Sequence, residues 1–358
     1  MDKNAASSRS WYSEDGKEND VVLSTRLRLS RNLANFPFPA HFRGDDAERV
    51  QALVFDAFSK LPEPDSWQMV NTENIDESGV KILTERGILD NPVGTGLVMG
   101  PSDNIFCMVN CQDHVRLVAF APGLDAEAVY NTCLSLDKSM QQSLQFAASY
   151  DFGFLTSLVK DCGSGMKISV RLHLPSVSYA GKIPEITEKL NKASLSFAAC
   201  FGPGKYLSPA MGAFYQVATT SACSGTEFDQ LAGIVSSVTN LVETERKFRL
   251  DYAENIPTVV RDSVSRSVAM VKFSHLVTTS EAIEIISNLK WGLSLGLLSG
   301  IEHKDLSALL YRIQEGHLRF VLKNSSFKFE KDVESDIKLK VNRFRSLILQ
   351  EAFENIKF

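Results

Sequence analysis

The stretch Val22-Leu23-Ser24-Thr25-Arg26-Leu27-Arg28-Leu29 carries a period-two alternation that places Arg26 and Arg28 together on one face of a strand. A second stretch, Met166–Leu174, alternates more cleanly. Ile168, Val170, Leu172 and Leu174 fall on one side, and Lys167, Ser169, Arg171 and His173 on the other, before Pro175 closes the run. Further strands are expected at Ile105–Asn110 and His114–Ala121, on either side of the turn Cys111-Gln112-Asp113, and around Leu195–Phe201 and Gly212–Thr219. Helical spacing marks Asp45–Leu61, with Val50, Leu53, Val54, Ala57, Phe58 and Leu61 on one face, and also Asp125–Tyr150 and Ile183–Lys192.

From Phe228 onward the pattern is helical throughout. Leu231, Ile234, Val235, Val238, Leu241 and Val242 keep helical spacing, and further helices are expected at Pro257–Val271, Ser280–Gly296, Lys304–Glu315 and Lys331–Ala352. The fold class read from this order is α+β: a front portion of strands and helices, then an all-helical C-terminal region. The expected division is a polar arm over residues 1–20, a sheet domain over 21–247 and a helical domain over 248–358.

The chain has 358 residues, 44% of them hydrophobic, and a net charge of −5. It can bury a large core, and any basic site must be local rather than a broad nucleic-acid or acidic-membrane surface. The polar, acidic opening residues and the absence of an apolar run of about 20 residues lead to the expectation of a cytoplasmic protein. The six cysteines, Cys107, Cys111, Cys133, Cys162, Cys200 and Cys223, form no CxxC pair. No metal site is expected, and buried free thiols are the default for a cytosolic chain.

The cations define the candidate site. Arg26 and Arg28 share one strand face, Lys167, Ser169 and Arg171 another, and Arg116 follows the Asn110–Asp113 turn. Gly163-Ser164-Gly165 precedes the Lys167 strand, where small residues would let backbone N–H groups approach an anion. In a net-acidic chain this alignment suggests a polyphosphate ligand held by charge-assisted hydrogen bonds. The competing reading is a set of solvated outer faces of amphipathic strands. His114 and His173 are read as structural residues before proton carriers.

These motifs resemble the ATP:guanidino phosphotransferases, the arginine and creatine kinase family, and within it the McsB type of protein-arginine kinase. Ser24–Arg28 is similar to the family's S-[ST]-R-x-R segment, and Asn110–Arg116 to N-E-E-D-H-x-R. Phe154–Ser157 followed by Gly163–Val170 resembles the L-T-S-C-P-T-N-x-G-T-G-L-R-A-S-V block. Phe201–Gly204 and Gly212–Val217 resemble the R-G-x-Y-G-E-G and G-N-x-x-Q-I-S-N segments. The resemblance implies a phosphagen-kinase catalytic fold, an ATP or ADP site with Mg, and phosphate contacts from Ser24, Arg26, Arg28, Arg116, Lys167, Ser169 and Arg171. It also implies an antiparallel sheet flanked by helices as the catalytic fold, and protein partners such as an McsA-like activator or a Clp-type unfoldase; the helical tail makes a homodimer plausible.

The departures fall where the family does chemistry. The two glutamates of N-E-E-D are Cys111 and Gln112, the glutamate of Y-G-E-G is Pro203, and the arginine of R-G-x-Y is Ala198. Leu158 and Val159 replace the Cys-Pro of T-S-C-P. Transfer to a guanidinium asks for carboxylates that fix the cation and accept a proton, and for cations along the phosphate chain. An amide is no base, and loss of a general base typically slows a reaction by ~10²–10⁴. Asp113 is the surviving carboxylate of the motif. The reading is a pseudokinase-like member with a retained but weak nucleotide cleft. An active protein-arginine kinase is the alternative, and a free-arginine kinase the least favoured. In the tail, Ser335-Asp336-Ile337-Lys338-Leu339-Lys340 aligns with an R-D-x-x-R-A-like phosphoarginine motif, keeping its aspartate and losing both arginines.

Overall fold

Leu27 and Leu29 are almost fully buried, which sets β1 (Val22–Arg31) in the middle of its sheet rather than at an edge. The computed structural model describes residues 10–89, 94–202, 210–223 and 225–357. After β1 come α1 (Asp46–Ser59), β2 (Gln68–Asn71), α2 (Glu77–Glu85), β3 (Gly96–Met99), β4 (Ile105–Val109), β5 (Val115–Pro122) and α3 (Ala126–Met140). A small hairpin of β6 (Ala148–Ser149) and β7 (Gly153–Phe154) leads to β8 (Met166–His173), α4 (Pro175–Tyr179), α5 (Ile183–Lys192), β9 (Leu195–Ala199) and β10 (Phe214–Thr219). The remainder is helical: α6 (Glu227–Asn255), α7 (Pro257–Phe273), α8 (Thr279–Ser294), α9 (His303–Arg312), α10 (Glu315–Asn324), α11 (Lys331–Glu334) and α12 (Ile337–Ala352).

Among the described residues the main sheet runs β2-β3-β4-β5-β1-β8-β10-β9, antiparallel at every pairing. One face carries Leu27, Leu29, Leu117, Ile168 and Val170 into the main core with α1, α3, α5 and α6. The opposite face is covered at one end by a small cluster around Trp11, Phe106 and Phe120, and at the other by the helical region. The α+β reading holds, with its antiparallel sheet and helical C-terminal region. Helix α6 is continuous across position 247, so the expected division there falls inside a helix.

Three expected helices have different limits. The helix expected over Asp125–Tyr150 stops at Met140, because the following residues turn back to pair with the end of β1: Ala34 N–H donates to Gln145 O and Ala147 N–H to Asn32 O. Leu144 and Phe146 keep helical spacing but are buried in that turn. The helix expected over Lys331–Ala352 breaks at Ser335, where Asp336 accepts from the N–H groups of Lys338 and Leu339 and starts α12 as its N-cap. The Lys304–Glu315 helix ends at Arg312, and α10 begins anew at Glu315.

A buried ion pair joins β1 to α3. Arg31 Nε lies 3.0 Å from Asp137 Oδ1 and Nη2 3.1 Å from Oδ2, and both side chains are 2% exposed. The remaining guanidinium nitrogen donates to the carbonyls of Ser30 and Ser164, and the Phe154 ring lies 3.7 Å away. Removing one member leaves the other charged and buried, so Asp137→Ala is expected to lower stability by about 3–5 kcal/mol, measured by denaturant unfolding. Adding Arg31→Met to that variant should restore part of the loss.

A second buried cation ties the tail to the N-terminal arm. Lys290 Nζ donates to Asn19 O at 2.7 Å and lies 3.1 Å from His303 Nδ1. Burial pulls its pKa from the ordinary 10.5 down to about 7. Above pH 7 the folded form therefore binds fewer protons than the unfolded chain, and this group adds stability as pH rises. Between pH 7 and 9 the unmodified protein should gain stability relative to Lys290→Met, approaching about 1.4 kcal/mol per pH unit. Chemical denaturation at matched pH values tests this, and parallel profiles would exclude it.

Candidate functional site

Residues directly opposed in an antiparallel ladder share a face, and the register of three strands assembles the cations. Arg28 lies opposite Lys167 on β8 and Val118 on β5, Ser30 lies opposite Arg116, and Arg26 lies opposite Ser169 and Phe120. Arg171 pairs with Ser24 and, on β10, with Gln216, which in turn faces Ala198 on β9. One sheet face thus carries Arg26, Arg28, Arg116, Lys167, Ser169 and Arg171. Ala198 lies on the same side at the far edge, offering only a methyl group.

These residues do not all meet at one point. Arg28, Arg116 and Lys167 line a narrow cleft together with Ser30, Gln112, Asp161 and Gly165. Arg26 lies further along the face with its guanidinium 5.6 Å from the Phe120 ring, and Trp11 stacks on that ring at 5.0 Å. Arg171 turns toward the helical region, where Nη1 approaches the Tyr311 hydroxyl at 3.4 Å beside a second, small cavity lined by Phe201, Phe214 and Leu310. Ser24 is almost fully buried, and Pro203 lies outside the described residues.

The degenerate positions have defined partners. Gln112 Oε1 accepts from Arg116 Nη2 at 3.0 Å. Asp113 is 3% exposed; its Oδ1 accepts from Asn32 Nδ2 at 2.9 Å and from the Ser157 N–H at 2.8 Å, while Oδ2 lies 3.8 Å from Arg116. Its carboxylate therefore pins the exit of β1 and the 155–158 segment to the turn. Cys111 is buried, and burial raises its thiol pKa. His114 Nδ1 accepts from the Leu33 N–H and Nε2 lies 2.9 Å from Pro37 O, while His173 Nε2 meets Ser287 Oγ at 2.8 Å. Both histidines have structural partners, and burial lowers the pKa of each.

The Gly163–Gly165 run serves strand pairing. The Gly163 N–H donates to Phe154 O, the Met166 N–H to Ser164 Oγ, and Gly165 O accepts from the Ser30 N–H. Gly165 has φ +63°, and a Cβ there would sit 2.5 Å from Ser30 O, so glycine is required by the close approach of β1.

One carboxylate of the cleft goes unremarked in the motif reading. Asp161, ending a 3-10 turn at Val159–Asp161, lies 2.8 Å from Lys167 Nζ and is 9% exposed. Its only sequence signal is an isolated acidic residue in the loop leading to the Lys167 strand.

Residues 49–248 match the family described as ATP:guanido phosphotransferase, C-terminal catalytic domain. The chain belongs to the ATP:guanido phosphotransferase family. Residues 257–357 match the protein-arginine kinase McsB C-terminal domain, which places the chain in the protein-arginine kinase branch. A protein-arginine kinase of Halothermothrix orenii is 29% identical over 86% of this chain and 89% of its own length. That of Clostridium acetobutylicum is 26% identical over 93% and 99%. Among solved structures, the duplicated taurocyamine kinase of Schistosoma mansoni with bound transition-state analog components superposes with a TM-score of 0.57 at 20% identity. It covers 72% of this chain, which spans 40% of that duplicated one. Lombricine kinase gives 0.56 at 16% identity over 70% and 71% of the two chains. These two likenesses establish the phosphagen-kinase fold.

Because Asp113 anchors two segments, Asp113→Ala should destabilise the fold by about 1–3 kcal/mol through the buried donors it leaves unpaired. Asp113→Asn should cost less. Thermal or urea denaturation distinguishes the two, and equal stability of all three proteins would refute the anchoring role.

Proposed function

We propose that this chain keeps the phosphate-binding half of a protein-arginine kinase site while phosphoryl transfer to arginine is lost or much reduced. The observation that carries the reading is the engagement of the cleft's carboxylates. Asp113 is taken by Asn32 and Ser157, Asp161 by Lys167, and the amide of Gln112 by Arg116. A base that accepts a guanidinium proton must reach it with a lone pair at hydrogen-bond distance. Asp113 is 3% exposed with its Oδ1 already accepting two hydrogen bonds, and Asp161 is paired with Lys167, so neither offers an incoming guanidinium an open, unshared carboxylate.

In this reading Arg28, Arg116 and Lys167 hold the terminal phosphates of ATP or ADP, with Arg26, Ser24, Ser169 and Arg171 along the rest of the nucleotide. The family's donor is ATP. Mg²⁺ would enter on the nucleotide, since the described residues form no cluster of three His, Cys, Asp or Glu side chains. Binding is expected to be weak because Ala198 removes one cation from the face. The sheet portion and helical portion act as separate units, the latter docking protein partners such as an McsA-like activator, a Clp-type unfoldase or a second copy. Its aspartate at the phosphoarginine-motif position, Asp336, is committed to capping α12. The alternative, an active protein-arginine kinase, is favoured by the names of the sequence relatives.

Incubation with Mg-ATP and a protein substrate, followed by phosphoarginine mapping under acid-free conditions, is expected to give no signal above background. Gln112→Glu should recover little, because Ala198 and Pro203 remain and groups that stabilise one transition state act together. Arginine phosphorylation by the unmodified protein that disappears in Arg116→Ala would establish the active-kinase alternative instead.

A further inference from the structure

We propose that Asp161 is a built-in gate on the phosphate cleft: its carboxylate holds the Lys167 ammonium, and an anionic ligand gains Lys167 only by displacing it. The inference rests on the phosphate-binding reading above and adds a specificity-determining residue to it.

Placement comes first. Asp161 and Lys167 line the same cleft as Arg28, Arg116 and Gln112, so the 2.8 Å ion pair lies inside the site. The loop leading into Asp161 is fastened at two points. Ser157 Oγ donates to Gln112 O at 2.6 Å, and Lys160 O accepts from Ser221 Oγ and the Ala222 N–H. The carboxylate is therefore delivered by a fixed segment.

The character of the contact comes second. Asp161 Oδ1 is buried and makes no hydrogen bond of good geometry among the described residues, although the ammonium is 2.8 Å away. The two charges are close but poorly aligned for hydrogen bonding. Such a contact is weaker than an aligned charge-assisted hydrogen bond, and the phosphate oxygens of a polyanion can offer Lys167 better-directed acceptors. The consequence is selection by charge. A ligand with several negative charges, such as pyrophosphate or a nucleoside diphosphate, can compete for Lys167, whereas a weakly charged anion cannot.

Calorimetric titration of the full chain with inorganic pyrophosphate, and separately with ADP, tests the gate. Asp161→Asn keeps the side-chain shape and removes the charge. It is expected to bind pyrophosphate about tenfold more tightly, the factor one charge-assisted contact supplies. The gain should shrink to less than about twofold when Lys167→Met is added, because it arises from the released ammonium. Asp161→Ser removes the same charge with a smaller side chain and should reproduce the gain, which guards against a folding defect in either variant. Equal or weaker pyrophosphate binding by the folded variants overturns the gate, as does a gain that survives Lys167→Met undiminished. Weak binding by the unmodified protein with no gain in the variants would keep the phosphate-binding reading and reject the gate. Binding seen only in the Asp161 variants would support the gate and reject a retained site in the parent. No binding by any of them rejects both.

Discussion

Crowding like charges on one face of a sheet is unfavourable, and much of this molecule can be understood as the means of doing so. Register leaves no choice in the matter: once β1 is paired with β5 and β8, Arg28 must stand beside Lys167, and Ser30 beside Arg116. The repulsion is offset locally. Asp161 neutralises Lys167, the Gln112 carbonyl faces Arg116, and the Phe120 ring lies beneath Arg26. None of these would suffice on a pliable scaffold. The Arg31–Asp137 pair locks the end of β1 to α3, and Asp113 locks the neighbouring turn to the 155–158 segment. The polar interior around the cleft is consequently organised as fixed hydrogen bonds, and the cationic surface inherits that rigidity.

The sheet was the most legible part of the fold. Strands such as Met166–His173 bury one face fully and most of the other only in part, so their period-two pattern survives the details of packing. Helix ends were less legible because they are decided by contacts remote in sequence. Leu144 and Phe146 fit a helical stripe extending from α3, yet the backbone at Gln145 and Ala147 is claimed by Asn32 and Ala34, more than a hundred residues earlier. Asp336 falls inside the helix expected over Lys331–Ala352 and is an N-cap instead. That role depends on the chain turning at Ser335, which the helical pattern of Lys331–Ala352 conceals.

The cationic half of the candidate site could be read in advance, since strand alternation fixes where Arg28 and Lys167 project. Its acidic half could not. Asp113 reads as a spare carboxylate beside the motif, but burial and two donors make it a structural anchor. Asp161 lies in a loop without periodicity, and only the tertiary fold brings it against Lys167. Gly165 carries two demands at once: it lines the cleft beside Lys167, and β1 passes too close to it for a Cβ.

Strand β8 connects the cleft to the helical region within a single element. Lys167 faces the cleft at its beginning, Arg171 meets Tyr311 of α9 four residues later, and His173 meets Ser287 of α8 at its end. Along that strand the cationic face passes from open cleft to covered interface without leaving the sheet. The N-terminal arm reinforces the same junction, with Tyr12 stacked on Tyr311 at 4.6 Å and Trp11 packed against Phe120. Any ligand large enough to reach from Lys167 to Arg171 must therefore meet the helical region as well as the sheet. A small polyanion at Arg28, Arg116 and Lys167 need not. The charge arrangement thus separates two ligand sizes by geometry, since only the longer one is brought against Tyr311.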